Sequence, residues 1–130
     1  MNASFSKPRK MKEKEIKLSD PNFNWESIKS FTKADYTALI AQGLKPSHLK
    51  VDLGDGEVYN FLSVRPSQSV MRAIGLAGRD QDFDKSNELL IKNCIKAGDM
   101  EALEDGVVYT AILQALSQSM AAVTAIFTKA

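Results

Sequence analysis

The chain has 130 residues and a formal net charge of +1, with 44% hydrophobic and 25% charged residues. That balance is the one expected of a single soluble globular domain with enough apolar side chains to build a core. No apolar run has the length and continuity of a bilayer span, and no apolar stretch follows the N-terminal basic residues as a secretory leader requires. One cysteine excludes an internal disulfide and fits a reducing, cytoplasmic setting.

Charge is unevenly spread. Met1 to Asp20 holds six Lys/Arg and three Asp/Glu, whereas the remainder holds 11 basic and 13 acidic residues. Residues 1–24 are therefore read as a flexible basic N-terminal arm, and residues 25–130 as a single helical domain. Phe23 and Trp25, after Pro21, mark where the chain begins to dock.

The first helix starts at Thr32, an N-cap whose partner Asp35 completes a capping box, with Phe31 placed to staple onto Tyr36. Leu39 and Ile40 supply its buried stripe, and Gly43 stops it ahead of Pro46. A hairpin follows. Leu49, Val51 and Leu53 alternate with Lys50 and Asp52, and Asp55-Gly56 forms a two-residue turn. The strand from Val58 to Val64 runs back. A regular ladder then sets Leu53 against Val58, Val51 against Asn60 and Leu49 against Leu62. Tyr59 and Phe61 are left on the polar face.

Pro66-Ser67 opens a second helix whose inner face is Val70, Met71, Ile74 and Ala77. Gly75 inside it suggests a close backbone approach, and Gly78 ends it. The third helix carries Asp80, Asp82 and Asp84 at its positive end and Lys92 and Lys96 at its negative end. Leu90, Ile91, Cys94 and Ile95 form its buried stripe, and Gly98 closes it.

From its cap at Asp105, a last helix is predicted to reach Phe127, about 35 Å at 1.5 Å per residue. It carries two adjoining apolar seams. One is Val108, Ile112, Ala115, Ser119, Ala122 and Ile126; the other is Tyr109, Leu113, Leu116, Met120, Val123 and Phe127. Gly106 to Thr128 contains no charge, so this helix belongs in the centre of a bundle or against a second copy. The fold class expected is mainly α (α+β): a small helical bundle around a long C-terminal helix, with one N-terminal β-hairpin.

The chemistry-bearing residues do not assemble into a catalytic set. Asp80-x-Asp82-x-Asp84 opens like a calcium loop but has Lys85 and Ile91 where glycine and glutamate are needed. His48 and Cys94 are too few for a transition-metal site. No serine sits in a nucleophile elbow, and Gly54-Asp55-Gly56 lacks the rest of a dinucleotide loop. The reading is a non-enzyme without cofactor or metal.

Two stretches point to a family. Val64-Arg-Pro-Ser-Gln-Ser-Val-Met-Arg-Ala73 and Lys85-Ser-Asn-Glu-Leu-Leu-Ile-Lys-Asn-Cys-Ile-Lys-Ala-Gly-Asp99 resemble the tail assembly chaperones of long-tailed bacteriophages and prophages. The resemblance runs from about Phe31 to Phe127, with Pro66-Ser67 and Asn87 to Asp99 as its specific part. It implies a protein of the bacterial host cytoplasm that binds the tape measure protein and yields it to tail-tube protein. It also implies a homo-oligomer. The residues themselves argue against a membrane partner, for want of a bilayer-length apolar run, and against a nucleic-acid partner, since the third helix opens with three acids. The competing readings are a nucleic-acid-binding phage regulator and a structural tail or connector subunit. An apolar helical client needs an adaptable apolar groove. Leu116, Met120, Val123 and Phe127 are the candidate groove, with Tyr59 and Phe61 at its rim.

Overall fold

The computed structural model describes residues 16–121, 125, 126 and 128. Its helices are α1 (Lys33–Ala41), α2 (Gln68–Arg79), α3 (Phe83–Cys94) and α4 (Gly106–Ala121). Its strands are β1 (Ser47–Gly54), β2 (Glu57–Ser63) and β3 (Ile95–Gly98), with 3-10 turns at Trp25–Ser27 and Met100–Glu104. The strands form one antiparallel sheet in the order β1-β2-β3.

This corrects the expected bundle. A sheet covered on both faces is the centre of the molecule, and α4 lies against one face rather than among helices. The successive residues Phe61 and Leu62 show why. Side chains alternate across a strand, and both are fully buried, in different cores. Phe61 joins Val51, Ile91, Ile95, Val108 and Ile112 on the α3/α4 side. Leu62 joins Leu18, Phe31, Leu39 and Val64 on the other. Leu18 is thus buried within the span assigned to the basic arm.

The hairpin turn is as expected, with Asp55 and Gly56 both at positive φ (53° and 80°) between the paired Gly54 and Glu57. The ladder is not. Leu53 is an extra residue between Asp52, which pairs with Val58, and Gly54. That bulge shifts the register by one, so Val51 faces Tyr59 and Leu49 faces Phe61. A one-residue shift exchanges the faces of every side chain beyond it. Tyr59 and Phe61 therefore join the apolar face, and Asn60 joins Lys50 and His48 on the other.

Residues 95–98 were expected to finish the third helix, but α3 stops at Cys94 and the chain becomes β3. Ile95 pairs with Ser63, Ala97 with Leu62 and Gly98 with Phe61, with Lys96 as a second bulge. Gly98 sits at φ 131°, and a Cβ there would lie 2.3 Å from the Asn60 carbonyl oxygen. Asp99 then fastens the ladder. Its N–H donates to Asn60 O (3.0 Å), and its Oδ2 accepts from Asn60 N (2.8 Å) and from Ser30 Oγ (2.6 Å).

Both expected α1 signals appear. The capping box joins Thr32 and Asp35 reciprocally. At the other end Gly43 N donates to Ile40 O and Leu44 N to Leu39 O, a Schellman closure. Leu39 is buried, but Ile40 is 45% exposed and contributes nothing to the stripe.

Helices α2 and α3 pack as a pair, tied by Ser86 Oγ donating to Ile74 O (2.9 Å). Ala77 is the buried residue of α2, whereas Met71, assigned to its inner face, is 42% exposed. Gly78 lies inside α2, which runs on to Arg79. Gly75 meets nothing within 4 Å of a built Cβ, so no neighbour approaches it closely. Gly75→Ala should therefore stabilise the protein by about 0.5–1 kcal/mol, through lost freedom of the unfolded chain. Thermal denaturation checks this, and a lowered Tm would reveal a neighbour that the glycine accommodates.

Cys94 is fully buried at the end of α3, and burial pushes its thiol pKa up against a smaller opposing pull from Lys96. Thiolate is the reactive form. Cys94 should stay unmodified by a disulfide reagent at neutral pH in the native protein and react on unfolding. Stoichiometric labelling of the native protein within minutes would contradict that placement.

Candidate partner-binding surfaces

The two seams of α4 have different fates. Val108 and Ile112 of the first seam are fully buried against the sheet. Tyr109, Leu113 and Leu116 of the second are partly buried, flanking the same core. Met120, one turn beyond Leu116, is also half-buried. Thr110, Gln114, Ser117 and Gln118 are exposed, giving the helix an uncharged polar outer face. At 16 residues α4 spans about 24 Å. Val123 and Phe127, assigned to the groove, lie outside the described residues.

The fold thus leaves one flank of α4 half open, containing Leu113, Leu116 and Met120. Tyr59 is half-buried beside the same core, its hydroxyl donating to Glu57 Oε2 at 3.0 Å. That hydrogen bond and the Glu57 charge hold the phenol pKa above its ordinary value. Phe61 has no exposed surface and cannot serve as a rim. The bulge at Leu53 moves it from the expected open face into the core.

A second concave region lies on the opposite side of the sheet. The segment from Ile16 to Ile28 and the outer face of β1–β2 enclose a cleft of about 1200 Å³. Its walls include Leu18, Phe23, Ile28, Tyr36 and Val58, and Lys17 and Lys50 line it as well. His48 lines it too, held between the ring edges of Phe31 (centroids 5.5 Å apart) and Phe23 (6.2 Å). His48 Nε2 and Asn60 Oδ1 are hydrogen-bonded at 2.8 Å.

No match to the chain is found among family models, curated proteins or solved structures.

The cleft was not read from sequence. A regular hairpin turns Asn60 toward Val51, whereas the shifted ladder sets it opposite Lys50 on the His48 face. The available signal was Gly54, an additional glycine directly before a complete Asp-Gly turn, a pattern that admits a bulge. Among the described residues, no group of three or more His, Cys, Asp or Glu is placed to hold a metal ion. No helix there is long and apolar enough to cross a membrane.

Proposed function

We propose that the protein is a phage tail assembly chaperone, which binds the tape measure protein in the host cytoplasm and gives it up to tail-tube subunits. The observation that carries the reading is the resemblance of Pro66-Ser67 and Asn87 to Asp99 to that family. In the fold these residues have structural duties. Ser67 Oγ accepts from Val70 N to start α2, and Asn93 Nδ2 donates to Leu89 O within α3. The Cys94 carbonyl accepts from Val64 N, and Gly98-Asp99 joins β3 to β2. These are structural roles, and on this reading partner binding is left to the protein's surfaces.

The client-facing surface on this reading is the open flank of α4, with Leu113, Leu116 and Met120. Unbranched Met120 can adapt to varied apolar sequences, and the absence of charge on the flank suits a helical apolar client. Co-expression with a phage tape measure protein tests the reading. The client should be soluble with this protein and insoluble without it, and purified virions should lack this protein. A client insoluble in both cases, or this chain found in the virion, would remove the chaperone reading.

A further inference from the structure

Helix α2 is held by its inner side. Ala77 is its buried residue, and the helix packs on α3. The side turned outward has a definite chemistry. At 3.6 residues per turn, Arg72, Gly75 and Arg79 fall along one line opposite Ala77, and all three are exposed. Met71 (42% exposed) and Leu76 (51%) border that line, one on each flank. From Arg65 to Arg79 there are three arginines and no acidic residue, whereas residues 21–130 as a whole are net acidic. The outer face of α2 is a cationic island with apolar borders.

Gly75 is the member that the fold itself does not explain. Glycine weakens a helix interior relative to alanine, yet a built Cβ here meets no described atom within 4 Å. It does not end the helix either, since α2 runs on to Arg79. What glycine supplies at this place is a notch in the outer surface, one turn from each arginine, where another backbone can come close. A helix laid over the notch would set its apolar stripe on Met71 and Leu76. Carboxylates beside that stripe would meet Arg72 and Arg79, whose guanidinium groups take a carboxylate in a two-bonded fork. A nucleic acid fits less well. Met71 and Leu76 offer a phosphate backbone nothing, and Asp80, Asp82 and Asp84 follow directly at the end of α2.

We propose that the outer face of α2 is a docking site for a helix of another protein, apolar along one stripe and bordered by Asp or Glu. Gly75 is the point of closest approach, and Arg72 and Arg79 select the acidic borders. The α4 flank carries no charge and selects no such partner, so this inference stands apart from the chaperone reading.

Fluorescence anisotropy on the full chain tests it, using a labelled helical peptide of about 20 residues. The peptide carries Leu and Ala along one stripe and Glu on both borders; its control has Lys in place of Glu. The Glu peptide should bind at least about tenfold more tightly than the Lys peptide, with the difference shrinking as salt is raised. Arg72→Glu with Arg79→Glu should reverse the preference. Leu76→Ser should weaken the Glu peptide by about tenfold while far-ultraviolet spectra stay unchanged, since this side chain is exposed. Gly75→Ala should raise Tm and yet bind the Glu peptide several-fold more weakly, an opposition that a purely structural role does not produce. A full chain that binds neither peptide overturns the proposal, and sedimentation then tells a second copy from the chain's own residues 1–15 as the cover of this face. Equal binding of both peptides, an unreversed preference in the folded double variant, or undiminished binding by Gly75→Ala overturns it as well. Displacement of the peptide by a short DNA duplex at physiological salt would give the face to phosphate instead.

Discussion

Gly98→Ala is expected to be the most damaging single-methyl change in this chain. A Cβ at residue 98 would stand 2.3 Å from the Asn60 carbonyl oxygen and 2.6 Å from Phe61 Cα, both backbone atoms in the central strand. A flexible side chain could swing away, but backbone paired on both sides cannot. The φ of 131° adds strain for any residue with a side chain. Relief requires β3 to separate from β2, which would loosen the Asp99 bonds to Asn60 and Ser30. The cost should be about 4 kcal/mol, a large part of the 5–15 kcal/mol typical of a domain. Thermal unfolding should show a Tm lowered by roughly 10 °C or more. A variant within a few degrees of wild type would mean that the β2–β3 junction tolerates separation. Gly75→Ala is the internal control, since the same added methyl meets open space there.

These two glycines also show what sequence reading can and cannot see. Gly98 after a helical apolar pattern reads as a helix stop, and Gly75 inside one reads as a close approach. In the structure the close approach is at Gly98, while Gly75 lies inside α2 and meets open space. Local pattern carries the capping box at Thr32, the closure after α1, the Asp55-Gly56 turn and the start of α2 at Ser67, because each is decided by residues within one turn. What separates a four-residue strand from a last helical turn is pairing with β2, which no local window contains. The same limit governs the candidate surfaces. A single bulge at Leu53 decides whether Phe61 or Asn60 faces the α4 side. The α4 seams were visible as apolar repeats, but their division into a buried and a half-open flank depends on how the helix sits on the sheet.

Phe61→Ala and Met120→Ser separate the core from the client surface. Phe61 is fully buried at the centre of the sheet, facing Ile91, Ile95, Val108 and Ile112 from α3, β3 and α4. Opposite it on β3 is Gly98, which has no side chain to fill the space, and opposite it on β1 is Leu49. Truncation removes the transfer free energy of the ring and leaves a cavity, for an expected loss of about 3–5 kcal/mol. Urea denaturation should show a sharply lowered midpoint with a similar m-value. Met120 is only half-buried on α4, one turn beyond Leu116. Met120→Ser should cost about 1 kcal/mol or less, as at a partly exposed site. On the proposed function, the folded Met120 variant should nevertheless keep less of a co-expressed tape measure protein in solution. Unfolding of the Met120 variant would assign that side chain to the core and close the α4 flank to any client. Undiminished client solubility in a folded Met120 variant would move the client to another face of the molecule.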